Sequence, residues 1–179
     1  REMRQAGEAF LADFERFQSI NGMAEATTLE DKCVDWVVAG QAFHWFDPAS
    51  TRIEFERILR PNGRILLMWN VQDVANPLMQ AYETTARAHS LDFDKTKHTK
   101  KQKGNERAFL GEEMRTAVFE NVQQLDLAGF IGRALSSSYT PLAGHPNHQP
   151  FVKEMEALFA QFAKNGRVSF RYKTRNFLR

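Results

Sequence analysis

The sequence predicts an α/β protein built on a parallel sheet, and three observations in its first 70 residues predict it. Val34 to Ala39 is a short apolar run with adjacent valines, bounded by Asp35 and Gly40, too short for a buried helix and suited to a buried strand. Ile65 to Trp69 is a second continuously apolar run of the same kind. Between them lie two overlapping helix starts, Asp47 followed by Pro48, and Thr51 with Glu54 three residues on. Phe55, Ile58 and Leu59 supply that helix with a buried face, and Pro61, Asn62 and Gly63 stop it. Strand, helix and strand within about 36 residues make a βαβ unit, whose crossover is expected to be right-handed and whose strands are expected to be parallel.

The remaining elements follow in order. Met3, Ala6, Phe10, Phe14 and Phe17 recur at three- and four-residue steps between charged residues, which predicts an amphipathic helix. Phe17 to Ile20 reads as an edge strand ended by Asn21 and Gly22. Asn76 and Pro77 open a helix that ends near His89, with Leu78, Tyr82 and Thr85 on one face. Lys95 to Arg107 holds six lysines or arginines and almost no apolar residue, and reads as a solvated loop. Glu112 to Phe119 is expected as a short helix, Val122 to Leu127 as a strand, and Gly129 to Tyr139 as irregular or weakly helical. Pro150 opens a helix striped with Phe151, Met155, Leu158, Phe159 and Phe162, which Asn165 and Gly166 terminate. Val168, Phe170 and Tyr172 alternate with Ser169, Arg171 and Lys173, the pattern of a half-exposed strand.

Composition sets the outer bounds. With 179 residues, 42% hydrophobic and 12% aromatic, the chain is long enough for one domain with a core that can bury its fifteen phenylalanines. A net charge of +2 demands no nucleic-acid or anionic-membrane partner. The single cysteine, Cys33, excludes an intramolecular disulfide and a cysteine-rich zinc site and fits a reducing, cytoplasmic compartment. No apolar segment approaches the roughly 20 residues of a membrane span, and no signal-peptide pattern opens the sequence.

Gln41, His44 and Trp45 place an amide, a titratable ring and an indole directly after the buried strand Val34–Ala39, where open α/β sheets put their ligand-binding groups. His145 and His148 have metal-ligand spacing, but Pro146 spoils a helical face and no third ligand is near, so no metal is expected.

Four segments carry a family resemblance: GMAEATTL at Gly22 to Leu29, VDWVVAGQAFHWFD at Val34 to Asp47, ILRPNG at Ile58 to Gly63 and ILLMWN at Ile65 to Asn70. SSSYTPLAG at Ser136 to Gly144 and the closing FRYKTRNF add to them. In this order and spacing the chain resembles the later two-thirds of a class I S-adenosylmethionine-dependent methyltransferase of the small-molecule group. The resemblance implies a Rossmann-like sheet of order 3-2-1-4-5-7-6 with the seventh strand antiparallel. On that plan Phe17 to Ile20 is the third strand, Val34 to Ala39 the fourth, Ile65 to Trp69 the fifth, Val122 to Leu127 the sixth and Val168 to Tyr172 the seventh. Strands one and two, and the glycine-rich cofactor turn, have no counterpart. Residues 1–179 are therefore expected to form a single, partial methyltransferase domain that continues upstream of Arg1.

The resemblance also implies S-adenosylmethionine as cofactor and a small-molecule methyl acceptor, with no nucleic-acid or membrane partner. Met23, Ala24 and Glu25 would lie beside the adenine, the alternative being a plain surface turn. Gln41 and Ala42 would line the methionine end and the acceptor entrance. His44 is open between a general base and a histidine held under its loop, Trp45 between packing and the substrate pocket, and Tyr82 would face the acceptor. The alternative function is a catalytically inactive remnant or a partner-binding module on the same fold.

Overall fold

The computed structural model describes residues 2–90, 105–137 and 139–179. Among them four strands form one mixed sheet: β1 (Val34–Gly40), β2 (Leu59–Gln72), β3 (Arg115–Leu125) and β4 (Val168–Leu178), in the order β1-β2-β4-β3. β4 runs antiparallel to both neighbours, with Thr174 opposite Asn70 on one side and Phe119 on the other. Within this sheet the strands expected as fourth, fifth, seventh and sixth follow one another in that order.

Contacts divide the chain into two units, Arg1–Val37 with Trp45–Arg64, and Val38–His44 with Ile65–Arg179. The first contains α1 (Glu2–Phe10) and α2 (Pro48–Ile58). Of the two helix starts, Asp47 is used: its carboxylate accepts from the Ser50 N–H at 2.9 Å and the Ser50 hydroxyl at 2.6 Å, and Pro48 occupies the first turn. Phe55 and Ile58 form the buried face.

Three expectations fail in this unit. The first helix stops at Phe10 and breaks into turns, Phe14 N–H to Leu11 C=O and Phe17 N–H to Phe14 C=O. Phe10 and Phe14 are 83% and 62% exposed, so the stripe gains no burial to offset the cost of ordering a longer helix. Phe17 to Ile20 is not a strand; its backbone pairs with no other strand among the described residues, and the Ser19 hydroxyl donates to Glu8 on α1. β2 starts at Leu59, well before Ile65, because Leu59 is already extended and Pro61 disfavours helix at Arg60.

The second unit holds α3 (Pro77–His89), α4 (Asn105–Leu110), α5 (Leu127–Leu135) and α6 (His148–Phe162). Asn76 caps α3 by accepting from the Leu78 and Met79 N–H groups. One core joins α3, α5 and α6 to β4: Tyr82 meets Phe130 and Phe170 edge-on at 5.7 and 5.0 Å, and Phe130 packs on Phe159 at 5.8 Å.

Here too the sequence reading needs correction. The expected helix over Glu112 to Phe119 is mostly strand β3, since Thr116, Val118 and Phe119 suit a pleated surface and β4 offers them a partner. The strand ends at Leu125, because Asp126 accepts from the Gly129 N–H and starts α5 where an irregular segment was expected. Of the basic stretch Lys95 to Arg107, residues 95–104 lie outside the described residues; Glu106 and Arg107 belong to α4.

Candidate functional site

The sequence-predicted residues fall into two groups, one in each unit. In the first unit, Met23 and Ala26 bridge each other through both backbone N–H groups, leaving Ala24 and Glu25 at the tip of a turn. The Ala24 N–H has no acceptor among the described residues, and Met23 is 67% exposed. Glu25 is committed to its own fold: its carboxylate accepts from the Asp47 N–H at 2.8 Å and lies 3.4 Å from the Thr51 hydroxyl, fixing the turn to the start of α2. Trp45, 73% exposed, also belongs to this unit.

In the second unit, Gln41 follows β1 in a left-handed conformation, φ +54°. A non-glycine residue pays for that backbone, and here two contacts hold it there. Its N–H donates to Met68 C=O at 2.9 Å, and its Nε2 donates to Asn70 C=O at 3.1 Å. Ala42 is half-buried, and Phe43 drops into the core against Phe109 at 4.7 Å. The short turn that follows, Phe43–Trp45, sets the half-buried His44 ring 5.5 Å from Trp69. The Trp69 indole N–H is buried with no hydrogen-bond partner among the described residues, a costly state for a donor.

Tyr82 sits apart from that group. It is 2% exposed, in the aromatic core, and burial pushes its phenol well above the usual range. His145 and His148 serve their loop: Nδ1 of His145 accepts from the Asn147 N–H, and Nδ1 of His148 lies 2.9 Å from Pro141 C=O. Among the described residues no group of three histidine, cysteine or carboxylate side chains could hold a metal ion.

Asn70 is the residue sequence reasoning passed over. Its side-chain oxygen accepts from the Thr174 hydroxyl at 2.6 Å and the Asn121 amide at 3.3 Å. The only signal in the sequence was an asparagine ending an apolar strand.

Against known proteins, residues 1–67 match the methyltransferase domain family model. Over that stretch the chain is similar to methyltransferase domains. An uncharacterized methyltransferase of Schizosaccharomyces pombe is 44% identical over 59 residues, 33% of this chain and 24% of that protein. One of Mycobacterium tuberculosis is 50% identical over 52 residues, 29% of this chain and 21% of its own length. The chain thus matches less than a quarter of the length of these curated relatives. A solved structure from Anaeromyxobacter dehalogenans, named as a type II methyltransferase, superposes with a TM-score of 0.57 at 18% identity over 92% of this chain and 70% of that one. One from Bacillus halodurans gives 0.50 at 18% identity over 99% and 78%. At that identity the superpositions speak for the Rossmann-like methyltransferase fold. No helix among the described residues is long and apolar enough to cross a membrane.

Proposed function

We propose that this protein takes part in S-adenosylmethionine-dependent methyl transfer to a small-molecule acceptor, residues 1–179 carrying part of one methyltransferase domain. The observation that carries the reading is Gln41: a left-handed residue, held by two bonds to β2, directly after the strand and inside the family match. The turn at Met23–Ala26 fits an adenine, since the Ala24 N–H has no acceptor among the described residues and the Met23 side chain is exposed beside it. Glu25 acts as a positioning residue, holding that turn to α2.

When bound, S-adenosylmethionine supplies an activated methyl group on a sulfonium. The chain then needs chiefly to orient the acceptor and exclude water. Gln41 and Ala42 line the entrance to the acceptor. His44 takes the proton from a hydroxyl or amine acceptor; a carboxylate acceptor requires no base.

Calorimetric titration of the full-length protein with S-adenosylhomocysteine tests this. Saturable binding is expected, weakened roughly tenfold in Ala24→Pro, which removes the N–H while suiting the first central position of a turn. Absence of binding by the wild-type protein would falsify the reading. In its place would stand a partner-binding module on the same fold, which the exposure of Trp36 and Val38 along β1, 53% and 52%, favours.

A further inference from the structure

The three tyrosines of the chain belong to one aromatic core in the second unit, Tyr82 and Tyr172 within it and Tyr139 packed against it, and one cation reaches Tyr172. The Arg133 Nε–H on α5 donates to the Tyr172 hydroxyl at 2.7 Å, and its guanidinium carbon lies 5.5 Å from that ring's centroid. Burial raises the Tyr82 and Tyr172 phenols, so both remain neutral and neither cancels the arginine's charge. Arg133 itself is exposed and pairs with no carboxylate among the described residues. With Nε engaged, neither terminal nitrogen of the guanidinium has a hydrogen-bond partner among the described residues, and these two are the pair that grips a carboxylate with two parallel bonds.

A second polar feature adjoins it. Tyr172 lies opposite Asn121 in the β3–β4 register, and Thr174, two residues on, is on the same face about 6.5 Å away. Asn121 donates to both Asn70 and Thr174. Because the Asn70 oxygen accepts from two donors, its amide NH2 is turned away from them. The cluster crosses β2, β4 and β3, about 10 Å, and at its β2 end Gln41 reaches the Asn70 backbone.

We infer that Arg133 and the Asn70–Thr174–Asn121 cluster anchor a small organic acid, Arg133 taking its carboxylate and the amides its polar body. This rests on the methyl-transfer reading for the acid's role as acceptor, but the anion site can be tested separately. Succinate is the probe and uncharged succinamide the control, titrated into the whole protein while the arginine Nε–H resonances are followed by NMR. Succinate is expected to shift the Arg133 signal with a dissociation constant of about millimolar, and succinamide to leave it unmoved. Arg133→Gln should weaken succinate at least tenfold. Arg133→Lys keeps the charge but loses the fork, and should fall between. Tyr172→Phe, which keeps the ring, should weaken it severalfold, while Arg171→Gln on the opposite face of β4 should change nothing. Equal binding to Arg133→Gln, equal binding of succinamide, or no binding at tens of millimolar overturns the inference. S-adenosylhomocysteine titrated into the same samples separates the two ideas. If it fails on wild-type protein while succinate still depends on Arg133, the anion site stands and the methyl-transfer reading falls.

Discussion

The two units are held together by different physics. The second buries Tyr82, Phe130, Phe151, Phe170 and Met155 almost completely in one aromatic core. The first buries Phe55 and Ile58 but leaves Phe10, Phe14, Trp36, Trp45 and Ile53 more than half exposed, and its cross-links are polar. Glu54 is their centre: it accepts from the Thr27 N–H and hydroxyl and from two Arg57 nitrogens, while Arg57 also binds Asp31. Burial is cumulative and insensitive to pH, whereas a carboxylate hub is neither. The units should therefore respond differently to deletion and to acid.

The largest effect is expected in the second unit. Phe130 is fully buried and meets three rings, so Phe130→Ala should cost about 3–5 kcal/mol in urea denaturation. A loss under about 1 kcal/mol would mean that this core is loosely packed and the contrast between the units is false.

Glu54→Gln comes next. Glu54 is 8% exposed, and its partners would be left with a poorer acceptor, at a cost of about 1–3 kcal/mol. Arg57 first, then the Thr27 hydroxyl and N–H, lower its pKa from 4.5 to about 2. A carboxylate depressed in the folded state contributes its full stability above pH 4.5 and loses it as the pH falls toward about 2. Hydrogen exchange at the Thr27 amide should thus quicken, relative to its intrinsic rate, on acidification through that window in wild-type protein. In Glu54→Gln that change should vanish, and a wild-type profile that is flat there would remove Glu54 as the hub.

How much of this was legible depended on where the deciding partner lay. Val34–Gly40, the Asp47–Pro48 start and the Asn76–Pro77 start could be read because each signal is local, a run or a cap within four residues. α1 overran because periodicity reports a stripe but not whether anything covers it, and Phe10 and Phe14 remain exposed. The first half of β3 reads as helix in the sequence because its strand character comes from pairing with β4, some 50 residues later, whereas the strand over Val122 to Leu125 is legible. Gln41 and His44 were found by their place after a strand. The buried Trp69 N–H, the Asn70 cluster and Arg133 were not, since each is defined by contacts across the sheet that spacing cannot encode.

The smallest effect should also come from the second unit, which separates burial from location. Between α6 and β4, Lys164 and Arg167 exchange both backbone hydrogen bonds around Asn165 and Gly166, with φ of +51° and +72°. This is the Asn-Gly loop that suits the twist of paired strands. A Cβ at Gly166 would meet nothing within 4 Å, so Gly166→Ala tests the backbone alone and should cost about 1 kcal/mol in urea denaturation. Asparagine tolerates the left-handed region better, so Gly166→Asn should cost less than alanine. If both cost as much as Phe130→Ala, the turn would be setting the β4 register. The second unit's stability would then lie in its strand pairing more than in its aromatic core.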